Sequence, residues 1–85
     1  MFDAVALKAK YDLAQPFVDE YHARQLRTQI QMVYRDSKEC TDEEREIIDE
    51  WLTNNGEWLQ KNEEKYNQYL AIAAIPKDQI EALLQ

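Results

Sequence analysis

The side chains able to do chemistry in this chain are few and scattered. There is one histidine, His22, one cysteine, Cys40, and a set of carboxylates concentrated between Glu39 and Glu50. Covalent catalysis needs a nucleophile beside a base that a third group orients. His22 falls mid-helix on an apolar face and Cys40 falls in a connection, so the two make no such pair. His22 reads as a partly buried packing residue. Cys40 reads as an ordinary free thiol whose practical risk is an intermolecular disulfide.

Glu43, Glu46 and Glu50 share a helical face, which raises the question of a carboxylate metal site. Carboxylate-bridged bundles also need Glu-x-x-His on their helices, and His22 has no Glu three residues before it. With one Gly in 85 residues there is no phosphate-cradling loop, and no Asp-rich calcium loop occurs. The expectation is a protein that is not an enzyme and uses no metal or cofactor.

Composition bounds the elements that carry these residues. Eighty-five residues allow one small domain with a thin core. Hydrophobic residues make up 45% and charged ones 32%, a globular balance. One Gly and two Pro are too few for a hairpin-rich β fold. The expectation is an all-α chain: a small antiparallel bundle of three to four helices with one long helix. A lone cysteine suits a reducing compartment. No apolar run reaches the ~18 residues of a membrane span, and the start of the chain lacks signal-peptide character. The expected location is the cytoplasm, with no membrane partner.

Helix A is expected over about 3–14, with Phe2, Val5, Ala6, Ala9 and Leu13 on one side and Leu7, Tyr11 and Ala14 on the other. Such a helix is either sandwiched or carries an exposed contact surface. Pro16 suits the first position of a helix B over about 16–38, a kinked continuation of helix A being the alternative. Val18, His22, Leu26, Ile30, Val33 and Tyr34 form its expected inner face. Arg24, Arg27, Arg35 and Lys38 form a basic stripe opposite, which lacks the interleaved aromatics of a nucleic-acid platform.

Thr41-Asp42-Glu43-Glu44 is a capping box that starts helix C, over about 41–75. Within it Glu50-Trp51-Leu52 and Asn55 recur seven residues later as Glu57-Trp58-Leu59 and Asn62. The phase runs on through Tyr66, Tyr69, Ile72 and Ala73. An unbroken heptad favours one continuous helix along a neighbour, whereas Asn54-Asn55-Gly56 is a helix stop. A bend at Gly56 reconciles the two. Asn55 and Asn62, in the middle of the stripe, either fix register by burial or face water in a gap, or Asn55 caps a helix end. Pro76 opens a helix D over about 76–85.

Two functions from different classes follow. The first is a non-catalytic interaction module (an adaptor, assembly factor or inhibitor) that binds a larger protein through apolar or aromatic faces. Its candidate contacts are Leu7, Tyr11, Trp51, Trp58, Tyr66, Tyr69, Ile80, Leu83 and Leu84. The aromatic heptad equally suits a homodimer. The second rests on charge. Residues 1–38 carry a net +1 and residues 39–85 a net −8, so direct nucleic-acid binding is disfavoured. Glu43, Glu46, Glu50, Glu57 and Glu64 lie along one side of a continuous helix C, the row that an acidic nucleic-acid mimic would present to a basic groove. Small size, acidity and helicity also suit a phage or mobile-element product, although no motif carries that association.

Overall fold

Asp3 stops the chain from starting its first helix any earlier. Its backbone is extended, and its carboxylate accepts from the N–H groups of Val5 and Ala6 at 3.0 and 3.2 Å, which satisfies two of the donors a helix start leaves unpaired. From this cap the computed structural model, which describes residues 2–85, is helical almost throughout. Helix α1 spans Ala4–Arg35, α2 spans Asp42–Ala73 and the short α3 spans Lys77–Leu83. The two long helices pack against each other antiparallel: Gln15 meets Ala73, His22 meets Tyr66, Arg24 meets Asn55 and Arg35 meets Asp49.

This arrangement corrects the division between helices A and B. Pro16 lies inside one continuous α1. A proline removes the N–H that would bond the carbonyl four residues back. Pro16 is exposed, so water can take the carbonyl freed at Asp12 and the helix continues.

Helix α2 likewise continues through Gly56, which keeps a negative φ and is exposed. A methyl group there would meet nothing within 4 Å. Gly56→Ala is therefore expected to stabilise the protein by about 0.5–1 kcal/mol, the helix-propensity gap between the two residues. Thermal unfolding followed by circular dichroism checks this, and a fall in Tm would mean that the glycine permits a bend.

The capping box is present at the start of α2. The Glu44 N–H donates to Thr41 Oγ1 and the Thr41 N–H donates to the Glu44 carboxylate, both at 3.1 Å. Tyr34 Oη also donates to Glu44, at 2.8 Å. Arg35 grips Asp49 through two nitrogens, so the last turn of α1 is tied to the first turns of α2. The Thr41 N–H, with the Tyr34 and Thr41 side chains, holds the Glu44 carboxyl below its ordinary range. Hydrogen bonding to Arg35 does the same for Asp49.

Both folded pKa values are depressed, so the stability these groups contribute is present above the unfolded carboxylate range. It is lost as the pH falls through the folded values. The Tm difference between wild type and Glu44→Gln is expected to be full above about pH 5 and to shrink as the pH drops below about 4. A difference independent of pH would assign the effect to packing alone.

The hairpin has little thickness. Its extents are 57 × 23 × 13 Å and its radius of gyration is 17.9 Å, against about 12 Å for a compact chain of this length. It is a bar little more than one helix thick, so each long helix can bury only one face within the chain. Of the hydrophobic side chains only Tyr11, Ala14, Val18, Tyr21, Cys40, Ile48 and Ile80 are buried among the described residues. Cys40 is free but buried, which lowers the disulfide risk expected of a free thiol.

Candidate interaction surface

The seam between α1 and α2 is aromatic in the middle. Tyr21 stacks on Tyr66 with ring centres 3.9 Å apart and planes within 11°. Phe17 lies 6.0 Å from Trp58 and 5.9 Å from Tyr69. The Arg24 guanidinium sits 4.1 Å from the Trp58 ring centre, and Lys65 Nζ lies 4.5 Å from that of Phe17. Both are cation–π geometries.

One polar layer interrupts this seam. Asn55, 3% exposed, accepts from Arg24 Nη1 at 3.1 Å and donates to Thr28 Oγ1 at 2.7 Å. Asn62 sits half-buried and donates to the Trp58 carbonyl of its own helix. The repeating asparagines therefore differ in role: Asn55 ties the helices together, and Asn62 does not.

Most of the aromatic candidates are engaged inside the chain. Trp58, Tyr66 and Tyr69 are half-buried against α1, and Trp51 and Leu7 are half-buried too. Tyr11 and Ile80 are buried and offer no surface. Leu83 and Leu84 remain 49% and 45% exposed at the end of α3. Glu43, Glu46, Glu50, Glu57 and Glu64 are all exposed on α2.

The inner face expected of helix B is the main correction. Helix α1 meets α2 through Val18, Tyr21, Arg24, Thr28 and Arg35. Leu26, Ile30 and Val33 are instead 58%, 58% and 74% exposed. Each of these three stands two residues from Arg24, Thr28 or Arg35, hence about 200° away round the helix. They form an apolar stripe on the far side of α1. Towards its start, Val5 and Leu13 are also exposed, at 71% and 65%. The expected basic stripe is broken up, because Arg24 lies over Trp58 and Arg35 is paired with Asp49.

The chemistry-bearing residues remain dispersed. His22 is exposed rather than partly buried, and its Nε2 shares a 2.7 Å hydrogen bond with Tyr66 Oη. The groove beside it, lined by Gln15, Val18, Asp19, Leu70 and Ala73, encloses about 260 Å³. Small-molecule pockets usually occupy ~300–1,000 Å³, and the Gln15 amide in this one is already donated to the Ala73 carbonyl. Among the described residues no group of three or more His, Cys, Asp or Glu side chains is placed to hold a metal ion. No described helix is long and apolar enough to cross a membrane. Compared with family models, with curated proteins and with solved structures, the chain matches none.

Proposed function

We propose that this chain is a non-catalytic protein-interaction module, an adaptor, assembly factor or inhibitor, that works through the outer face of α1. One observation carries the reading: Leu26, Ile30 and Val33 stand on the side of α1 turned away from α2, each more than half exposed. A contiguous apolar stripe of this kind on a small protein marks a surface that another molecule covers. Its helical spacing suits a partner helix laid along it. The aromatic seam serves the hairpin itself, so it is not the surface offered.

The acidic row supports a second reading. Glu43, Glu46, Glu50, Glu57 and Glu64 are exposed along α2 over 21 residues, which is about 32 Å of helix. A mimic of a nucleic-acid backbone would use this row against a basic groove.

One experiment tests both. The tagged protein and its Ile30→Glu variant are used to retain partners from source-cell lysate with nuclease present, at about 0.1 M and 1 M salt. Under the apolar reading, wild type holds a larger protein at both salts and Ile30→Glu loses it. A partner that survives Ile30→Glu but leaves at high salt, and is displaced by DNA or RNA, would replace that reading with the mimic.

A further inference from the structure

Helix α3 is held differently from the two long helices. Residues 76–85 are exposed throughout except for Ile80. That one side chain is 1% exposed, the most completely buried large side chain among the described residues. No side chain caps the start of α3. Its Gln79, Ile80, Leu84 and Gln85 N–H groups bond only to carbonyls three or four residues back. The last polar tie across the hairpin is the Gln15 amide on the Ala73 carbonyl, and among the described residues none joins α3 to the long helices. A seven-residue helix does not hold its shape alone in water. One apolar anchor therefore keeps α3 in place.

The register of the hairpin shows what that anchor covers. Gln15 meets Ala73 and His22 meets Tyr66, so each step towards the start of α1 is a step towards the end of α2. Helix α2 ends at Ala73, whereas α1 runs on past that level from Ala14 back to Ala4. On this overhang Tyr11 and Ala14 are nevertheless buried, and Leu7 is half-buried. The three share one face of α1, at spacings of four and three. Val5 and Leu13, on other sides of the same overhang, are exposed. Past the end of α2 the chain has only the segment after Ala73 to offer. The buried Ile80 of that segment and the buried Tyr11 and Ala14 account for each other.

We infer that α3 is a latch, which opens as a unit while the α1–α2 hairpin stays folded and thereby uncovers Leu7, Tyr11 and Ala14 on α1 together with Ile80 itself. Burying one isoleucine side chain shifts an equilibrium by a factor of about ten to a hundred, and the entropy of ordering α3 works against it. Global unfolding of a chain this size is disfavoured by a factor of about a thousand or more. The stacked Tyr21 and Tyr66 and the Asn55 layer hold the hairpin on the other side of the Gln15–Ala73 tie, without help from α3. The link between the helices also lets them part. Pro76 has φ −59° and ψ 139°, off the helical path, and has no N–H to bond back to α2. Tyr11 and Ile80 thus form a gated apolar surface, distinct from the permanently exposed Leu26, Ile30 and Val33.

Hydrogen exchange of the whole protein, resolved into short segments by mass spectrometry, reads the latch directly. In wild type the amides of residues 79–84 are expected to be at least about tenfold less protected than those of residues 52–66, at rates that low urea leaves unchanged. Ile80→Ala is expected to speed exchange about tenfold in residues 79–84 and 7–14 together, while residues 52–66 stay close to wild type. Equal protection of 79–84 and 52–66 in wild type would make α3 part of the cooperative core and overturn the proposal. A loss in Ile80→Ala shared by 52–66 would do the same. Faster exchange confined to 79–84, with 7–14 unmoved by Ile80→Ala, would also overturn it, since α3 would then be a frayed end that covers nothing.

Discussion

Tyr21→Ala is expected to lower the unfolding free energy by about 3–5 kcal/mol, the cost of removing a large buried aromatic. The ring is 6% exposed, stacks on Tyr66 and lies 6.1 Å from Trp58, so its loss leaves a hole between both helices at once. A chain of 85 residues has a total stability of roughly 4–13 kcal/mol. The loss is a large share of that total, so the urea midpoint of the variant should fall far below that of wild type.

Tyr21→Phe is the control. Its hydroxyl donates to the Leu59 carbonyl at 3.5 Å, a long bond, and burial pushes the phenol pKa upward. Deleting that hydroxyl should cost less than about 1 kcal/mol. Urea titration followed by circular dichroism measures both variants. Equal losses in the two would place the energy in the hydroxyl rather than in the stacked ring.

Asn55→Ala is expected to cost about 2–3 kcal/mol, because it strands partners as well as removing contacts. The amide is the acceptor for Arg24 Nη1 and a donor to Thr28 Oγ1 in a layer closed to water on most sides. Thr28→Val alone should cost less, since the threonine hydroxyl also donates to the Arg24 carbonyl of its own helix at 2.8 Å. The double variant should fall short of the sum of the two by about 0.5–1.5 kcal/mol, as coupled partners do. Strict additivity in the double-mutant cycle would mean that the Asn55–Thr28 bond contributes nothing across the seam.

Asn55→Leu separates stability from register. Apolar replacement of a buried seam asparagine often keeps or raises stability while loosening alignment or partner number. A shifted Arg35–Asp49 pairing in that variant would show the asparagine setting the register of the hairpin.

The aromatic heptad of α2 was legible because a repeat of Trp, Leu and Asn at seven-residue spacing has one face whatever lies opposite. Its continuity through Gly56 was legible for the same reason: the phase on either side agrees, and an exposed glycine costs only about 1 kcal/mol. The polar layer was half legible. Asn55 and Asn62 are equivalent in the repeat, and only the arrival of Arg24 and Thr28 at the level of Asn55 makes the two differ.

What the amino acids determined alone are the features held by contacts within a few residues. These are the helical state itself, the Asp3 cap, the Thr41–Glu44 capping box and the break at 36–41. Each depends on hydrogen bonds or propensities that close over one helical turn. Tertiary structure alone decided which side of α1 faces inward. Helix α1 carries two apolar stripes, and periodicity gives the angle of a stripe but not its partner. The more hydrophobic stripe, Leu26-Ile30-Val33, was the natural choice for the inside, yet α2 took the other. Tyr21 could stack on Tyr66, Arg24 could cover Trp58 and Thr28 could satisfy Asn55 only on that side. Complementarity between two faces outweighed the hydrophobicity of one, and the stripe of Leu26, Ile30 and Val33 was left exposed.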